Sequence, residues 1–322
     1  WTWDDGVDNG KNSFTPTKLR NPMGTNRQPV IDAHAHCGVQ APQDWMPGFD
    51  ATKNRGHAST DLLTCMDAAG VDCAVLHTND VWGMKYAARM IQEHDGRFIG
   101  ICKVDGSRAH TESGLHAIQH HVQDEGFRGL YFDPWPPTED AFTNFYAQQY
   151  RPLWDLVDQM QLPVCVVSYG IQSPDLFPGL IQLVDRYPNL TMTVVHGLYV
   201  GTSVPPDLVD EEKRVHIDPA IIELVRNFDV SLEILAGYPG ATFGPDDVVL
   251  HALFDTFGPR KLLWGSEFTK AQALSRTQAK STVQYTSQAR YLQNRCPYIL
   301  DSDRAWIMGG NVARIYAGDD SD

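Results

Sequence analysis

The chain has 322 residues, of which 42% are hydrophobic and 20% are charged, a composition typical of a folded protein with a sizeable core. Its formal net charge of −14 argues against nucleic acid or an anionic membrane surface as a partner, because either would require a basic face. The chain has no apolar run approaching the roughly 18 residues that a membrane-spanning helix needs, so we expect no membrane association.

The six cysteines form no Cys-x-x-Cys pair, and several of them lie within apolar runs. Reduced, buried thiols fit this pattern better than a disulfide framework does, and such thiols are typical of a reducing compartment. We therefore expect a cytoplasmic protein.

The predicted elements begin after an N-terminal arm, residues 1–29, which is rich in Gly, Asn, Thr and Pro and has no hydrophobic periodicity. Short apolar runs then alternate with stretches whose apolar positions recur at helical spacing. The runs predict eight strands, at residues 30–34, 73–77, 98–103, 129–132, 163–168, 191–196, 230–235 and 261–266. A first helix is expected from Ser59, and further helices at residues 83–94, 145–160, 179–187, 219–228, 247–257 and 301–316.

Strand–helix alternation repeated eight times is typical of an α/β fold, the (β/α)8 TIM barrel, with its helices outside. The competing architecture is an open doubly wound sheet, which usually carries a glycine-rich phosphate-binding turn after its first strand. This chain has His34-Ala35-His36 at that place, which favours a barrel formed by residues 30–322 as a single domain.

In a TIM barrel the reactive groups lie at the C-terminal ends of the strands, where the following loops meet. Polar residues at or just beyond those positions, in chain order, are His34, His36, His77, Asp80, Lys103, Asp105, Asp133, Ser168, Tyr169, His196, Glu267 and Lys270. Alternate side chains of a strand share a face, so His34 and His36 are expected to project to the same side. Glu233 lies within the seventh predicted strand and has no assigned role.

Two neutral imidazoles and one carboxylate form a common ligand set for Zn²⁺, Mn²⁺ or Fe²⁺. His34, His36 and Glu267 can supply that set, because closure of the barrel brings the first and eighth strands together. We expect one bound divalent metal, with zinc as the first expectation and manganese or iron as alternatives.

His196 is then placed to exchange protons with the substrate or with water, and Glu267 can also move protons. The remaining strand-end residues are candidates for substrate binding, namely His77, Asp133, Ser168 and Tyr169. Structural alternatives stay open: His196 can be a buried, hydrogen-bonded residue, Glu267 can cap a helix, and Asp133 before proline can belong to a turn.

Eight short motifs follow one another at barrel spacing. They are Ile31-Asp32-Ala33-His34-Ala35-His36, Ala69-Gly70-Val71-Asp72, Asp95-Gly96-Arg97-Phe98-Ile99-Gly100, Gly126-Phe127-Arg128-Gly129-Leu130, Leu162-Pro163-Val164, Val195-His196-Gly197, Leu263-Trp264-Gly265-Ser266-Glu267 and Gly309-Gly310-Asn311-Val312-Ala313-Arg314. With these motifs the chain resembles the amidohydrolase superfamily, specifically the second amidohydrolase family, which contains the aminocarboxymuconate-semialdehyde and aromatic-acid decarboxylases. The resemblance implies a distorted, metal-dependent-hydrolase type of barrel that usually holds one divalent metal.

By this resemblance, His34 and His36 are metal ligands, and His196 occupies the place of the family's acid–base histidine. The sequence departs from the family pattern at two strands. Val167-Ser168-Tyr169 replaces the third histidine ligand on the fifth strand, and Gly-Ser-Glu, ending at Glu267, replaces Gly-Ser-Asp on the eighth.

The resemblance predicts a metal-dependent hydrolase or carbon–carbon lyase, decarboxylase-like, acting on a small carboxylated aromatic or unsaturated substrate. A glutamate at this position, Glu267, makes the chain similar also to the hydratases and carbon–carbon hydrolases of the same family. Two alternatives stay open. An iron or manganese site could activate oxygen, with Asp133 bridging a second metal, or the barrel could be a non-catalytic partner of an active homologue. We expect a homo-oligomer, or a hetero-oligomer with a related subunit.

Overall fold

The structure is a computed structural model, and it describes residues 28–36, 59–78, 81–133, 145–168, 176–196, 208–237, 248–268 and 278–317. Within that part of the chain lie eight strands: β1 (Ile31–Ala35), β2 (Cys73–His77), β3 (Phe98–Lys103), β4 (Leu130–Phe132), β5 (Val164–Val167), β6 (Met192–Val195), β7 (Val230–Ile234) and β8 (Leu262–Trp264). Two of the predicted strand positions, Ser168 and His196, therefore lie just beyond the ends of β5 and β6. Most of the predicted arm and Tyr169 fall outside the described residues.

The helices of the described residues follow the strands in alternation: α1 (Ser59–Ala69), α2 (Val81–Glu93), α3 (Glu112–Gln123), α4 (Arg151–Met160), α5 (Leu176–Arg186), α6 (Pro219–Asn227), α7 (Val248–Phe257), α8 (Gln278–Ala289), α9 (Tyr291–Arg295), α10 (Asp301–Ala305) and α11 (Asn311–Ala317). None of them is both long and apolar enough to span a membrane.

The single helix predicted at residues 301–316 is interrupted between α10 and α11. Residues Trp306–Gly310 form a π-helical turn there. A Cβ at Gly309 would overlap the carbonyl oxygen of Pro29, so the close approach of the chain before β1 requires glycine at this point.

The eight strands form one parallel sheet in the order of the sequence, β1 to β8. The sheet closes on itself, because Ala35 of β1 pairs in parallel with Phe268, just after β8. The backbone N–H of Glu267 donates to the His34 carbonyl at 2.9 Å across the same seam. The predicted TIM barrel is thereby confirmed.

Two apolar layers follow from the alternation of side chains along the strands. The outer layer packs the strands against the helices, as where the ring of Phe132 in β4 stacks on that of Trp154 in α4 with centroids 5.1 Å apart. The inner layer fills the barrel with residues from the strand starts and from α11, among them Ile31, Cys73, Val75, Ile99, Ile101, Cys165, Val312, Ile315 and Tyr316.

The inner layer closes the N-terminal end of the barrel. The hydroxyl of Tyr316 lies 3.1 Å from the Cys165 sulfur in β5, and the Arg128 guanidinium, before β4, donates to the Tyr316 carbonyl at 3.4 Å. The opposite end of the barrel is therefore the one at which a site can form.

Candidate metal centre

Six ionisable side chains are buried together at the C-terminal end of the barrel, and none of them is more than 4% exposed. They are His34, His36, His77, His196, Glu233 and Glu267. Burying so many polar groups without partners would be costly, so their contacts decide what the cluster can do.

An irregularity in β1 brings His34 and His36 to the site. The pairing of β1 with β2 shifts register between Asp32 and Ala35. Strict alternation would give Asp32 and His34 the same surroundings, but Asp32 accepts hydrogen bonds from the hydroxyls of Ser266 (2.6 Å) and Tyr285 (2.9 Å). His34 instead contacts the other histidines. The two histidines are thus brought together as predicted, although the strand that carries them is not regular.

The carboxylate of Asp32 fixes the segment after β8. It also accepts a hydrogen bond from the backbone N–H of Ser266 at 2.9 Å, directly before Glu267. Burial raises the pKa of Asp32 to about 6, although the hydrogen bonds from Ser266 act in the opposite direction. The side chain of Gln288 in α8 donates to the Ser266 carbonyl at 2.9 Å, so β1, the end of β8 and α8 are held as one unit.

The hydrogen bonds of His34 and His36 determine which ring nitrogens can bind a cation. The Nδ1 of His34 lies 2.9 and 3.1 Å from the two carboxylate oxygens of Glu233, and the Nδ1 of His36 lies 3.1 Å from the His77 carbonyl. Carboxylate and carbonyl oxygens only accept hydrogen bonds, so both Nδ1 atoms carry the proton. In the neutral rings each Nε2 then carries a lone pair.

The two Nε2 atoms lie 2.9 Å apart. Two lone pairs facing each other at this distance repel, unless a cation lies between them. Two nitrogens that bind one divalent metal at about 2.0–2.1 Å each lie about 3 Å apart. Donation of Nδ1–H to a carboxylate or carbonyl is also the usual support for a metal-binding histidine. The donor set therefore fits a divalent metal.

Glu267 and His196 complete the cluster from the ends of β8 and β6. Glu267 Oε1 lies 3.4 Å from His196 Nε2 and 3.8 Å from His36 Nε2. Both residues adopt left-handed backbone conformations, with φ of +50° for Glu267 and +64° for His196. Such conformations are uncommon outside glycine and are concentrated at functional sites.

His196 is also positioned as a possible metal ligand. One ligand atom from each of His34, His196 and Glu267 lies within 4.8 Å of the others. Among the described residues, neither ring nitrogen of His196 has a hydrogen-bond partner, although both are buried. A buried imidazole of this kind suits a ring that meets an ion, a substrate or a water molecule.

Sequence reasoning assigned no role to Glu233, although the structure places it at the centre of the cluster. Its carboxylate holds His34 Nδ1 and also accepts a hydrogen bond from the backbone N–H of His196, at 2.8 Å. The alternation of side chains along β7 could have indicated its position. Leu232 and Ile234 belong to the outer layer, so Glu233 between them faces the barrel interior.

His77 supports His34 from behind. The two rings stack with centroids 3.8 Å apart, and His77 Nε2 lies 3.0 Å from the Ala33 carbonyl. Burial lowers the pKa of His77 well below its usual value, so this imidazole is neutral.

Two of the other predicted substrate-binding residues, Asp133 and Ser168, directly follow β4 and β5 at the same end of the barrel. Asp133 forms an ion pair with Lys103 of β3 at 3.4 Å, and Ser168 is fully buried at the end of β5. Tyr169 lies outside the described residues. The structure thus brings the four histidines and Glu267 into one cluster, and it pairs Asp133 with the ammonium group of Lys103.

Comparison with known proteins identifies the family of this chain. The model of an amidohydrolase family, Amidohydro_2, matches residues 31–318. The chain is 22% identical over 294 residues to L-fucono-1,5-lactonase of Burkholderia ambifaria, covering 89% of this chain and 94% of that protein.

Two solved structures share the fold. A dihydroxybenzoic acid decarboxylase from Polaromonas, with bound manganese and the inhibitor 2-nitroresorcinol, has a TM-score of 0.60 at 14% identity, covering 90% of this chain and 97% of that one. A probable 2-pyrone-4,6-dicarboxylic acid hydrolase from Acinetobacter baumannii has a TM-score of 0.59 at 14% identity, covering 89% and 98%. The match over residues 31–318 shows that this chain belongs to the Amidohydro_2 family and is an enzyme of the amidohydrolase superfamily.

Proposed function

We propose that this enzyme is a divalent-metal-dependent hydrolase or carbon–carbon lyase that acts on a small carboxylated aromatic or unsaturated substrate. The observation that carries the proposal is the pair of His34 and His36 Nε2 atoms, 2.9 Å apart, with both Nδ1 protons held by acceptors. Glu267 and His196 lie beside this pair and supply the remaining polar groups.

His34, His36 and Glu267 would hold the metal, and zinc is the first expectation for two imidazoles and a carboxylate. The manganese of the Polaromonas decarboxylase supports manganese as an alternative. A divalent ion held there would act as a Lewis acid, polarising a substrate oxygen or acidifying water.

His196 is the proposed acid–base residue. Its Nε2 lies 3.4 Å from Glu267 Oε1, close enough for the carboxylate to stabilise an imidazolium or to receive its proton after small movements. In decarboxylation, His196 would protonate the carbon that loses carbon dioxide. In hydrolysis, the same nitrogen would take a proton from water and return it to the leaving oxygen.

Lys103 is the proposed anchor for the substrate carboxylate. Ile99 and Ile101 of β3 belong to the inner layer, so alternation turns Lys103 to the barrel interior. Tyr131 of β4 also belongs to the inner layer, so alternation turns Asp133, two residues later, to the barrel interior as well. The Asp133 carboxylate lies 3.4 Å from the Lys103 ammonium. A substrate carboxylate could share this cation, with Asp133, Ser168, Tyr169 and His77 lining the pocket.

Lactone hydrolysis is a second candidate, favoured by the full-length match to the Burkholderia lactonase. Glu267 has the reach to act as a general base toward water, one methylene beyond the aspartate usual in this family. A lactone would present its ring carbonyl to the same groups, and its hydroxyls could bind Asp133 in place of a carboxylate at Lys103.

The test is elemental analysis of the purified protein together with a substrate panel. We expect about one divalent metal per chain and a large loss of metal in His34→Ala. His116→Ala, at an exposed histidine of α3, is the matched control and should keep the metal.

Carbon dioxide release from hydroxybenzoates would support decarboxylation, and acid release from sugar lactones would support the second candidate. Full metal stoichiometry in His34→Ala, or activity that survives complete removal of the metal, would contradict the proposed site. Bound iron with oxygen consumption would favour an oxygen-activating enzyme instead.

A further inference from the structure

We propose that Glu233 is a positioning residue that links the metal-binding histidine to the acid–base histidine through one carboxylate. The carboxylate contacts His34 Nδ1 at 2.9 and 3.1 Å and accepts the backbone N–H of His196 at 2.8 Å. It is 1% exposed. This inference rests on the proposed metal site for one of its two measurements and is independent of it for the other.

The first role of Glu233 is to set the tautomer and orientation of His34. A carboxylate can only accept, so it keeps the proton of His34 on Nδ1 and leaves Nε2 as the donor atom for a metal. The negative charge also makes the imidazole a stronger ligand.

The second role of Glu233 is to fix the turn that presents His196. A left-handed conformation, φ +64°, is unfavourable for a histidine unless its surroundings hold it. The hydrogen bond from the His196 N–H to Glu233 Oε2 supplies such a restraint, and it is a charge-assisted bond inside the barrel. The orientation of the His196 ring therefore depends on a carboxylate from the neighbouring strand.

A purely structural explanation accounts poorly for Glu233. An ionised carboxylate is expensive to bury, and apolar residues fill many inner positions of the barrel at lower cost, among them Val195 and Leu263 on the strands next to β7. The carboxylate also fits only because residue 265 is glycine: a Cβ there would overlap Glu233 Oε1 and lie 2.8 Å from the His34 Cβ. Glycine in the Trp-Gly-Ser-Glu segment thus permits the carboxylate to reach His34.

Glu233→Gln tests the proposal with almost no change of shape. With its oxygen in the place of Oε2, the amide still accepts from the His196 N–H, but it turns its N–H₂ group toward the His34 Nδ1–H. The His34 contact at 2.9 Å is then lost, and the bond to His196 loses its charged acceptor. Gly265→Ala is the second variant, because its methyl group presses on both the Glu233 carboxylate and the His34 Cβ while the charge is kept. Glu223→Gln, at an exposed glutamate of α6, is the matched control.

Two quantities are measured on the full chain: the dissociation constant for Zn²⁺ by competition with a chelator, and the hydrogen-exchange rate of the His196 amide in metal-depleted protein. In Glu233→Gln and Gly265→Ala we expect Zn²⁺ binding to weaken about 10- to 100-fold. The His196 amide should exchange about tenfold faster or more, because it loses a bond to a charged acceptor. Glu223→Gln should leave both quantities unchanged.

Each variant is shown to be folded by its circular dichroism spectrum and by a melting temperature well above the temperature of the assay. A Zn²⁺ dissociation constant and a His196 exchange rate both within twofold of the parent protein in Glu233→Gln would overturn the proposal. If the parent protein binds no metal, the metal function proposed above fails, and faster His196 exchange in the variants still supports Glu233 as the residue that holds His196.

Discussion

At the N-terminal end of the barrel, Val312, Ile315 and Tyr316 of α11 pack against the inner faces of the strand starts. At the C-terminal end, the same strands lead into four buried histidines and two buried glutamates. The two ends differ in what burial does to their ionisable groups. Burial raises the pKa of Cys165 to about 12 and that of Tyr316 well above its usual value, so both stay neutral.

Neutral groups at the closed end can be buried with little penalty, and they add to the core. The C-terminal end buries imidazoles, and among the described residues both ring nitrogens of His196 and Nδ1 of His77 have no hydrogen-bond partner. Such atoms cost stability, and a protein retains them where chemistry requires them. Stability and activity should therefore respond separately to substitutions at the two ends.

His196→Asn should have the largest effect on activity. Asparagine tolerates the left-handed conformation better than most residues do, so the turn is preserved while the acid–base nitrogen is removed. We expect kcat on the substrate found by the panel to fall about 10²- to 10⁴-fold. The melting temperature should change little, and His216→Asn, at an exposed histidine, is the control. A kcat within threefold of the parent value would exclude His196 from proton transfer.

Ile99→Ala should give the opposite result at the closed end. Ile99 is 2% exposed in the inner layer near the start of β3, and its truncation leaves a cavity among well-packed residues. We expect the free energy of unfolding in urea to fall by about 2–5 kcal/mol. Metal affinity and kcat of the folded fraction should stay within about twofold. Loss of metal in this variant would mean that the two ends are coupled rather than separate.

The barrel could be predicted from the sequence because its strands are short, buried on both faces and regularly spaced. Strands β2 and β3 begin and end where the apolar runs do. Strands β5 and β6 end earlier than predicted, and β6 ends directly before the left-handed His196, a conformation that no residue pattern around a histidine indicates. The polar helix α8 carries too few apolar residues for its periodicity to be recognised, yet Tyr285 and Gln288 reach the site from it.

The candidate site was only partly predictable. The rule that reactive groups lie at strand ends was sufficient for His34, His36, His196 and Glu267, because the closure of a barrel brings these ends together. Glu233 acts through a contact with His34, 199 residues away in sequence, and such pairing across the barrel depends on register and on the glycine at 265. The register shift in β1 was equally hidden, since Ala33 and Ala35 are the same residue type in different layers.

The smallest effect is expected from the buried thiols of the inner layer. Burial raises the pKa of Cys73 and of Cys165 from 9.0 to about 12, so neither forms a thiolate in the folded protein at pH 8. Peptide mapping after iodoacetamide treatment should find both unmodified in native buffer and modified in urea.

The same shifts set a dependence of stability on pH. A folded-state pKa above the unfolded value favours the protonated thiol on folding, so this contribution is complete below pH 9.0 and is lost as the pH rises toward about 12. The free energy of unfolding should therefore decline over that interval, and Cys165→Ala should make the decline shallower. Rapid labelling of Cys165 in native buffer at pH 8 would mean that the closed end of the barrel opens locally, and the contrast between the two ends would then be one of dynamics as well as of polarity.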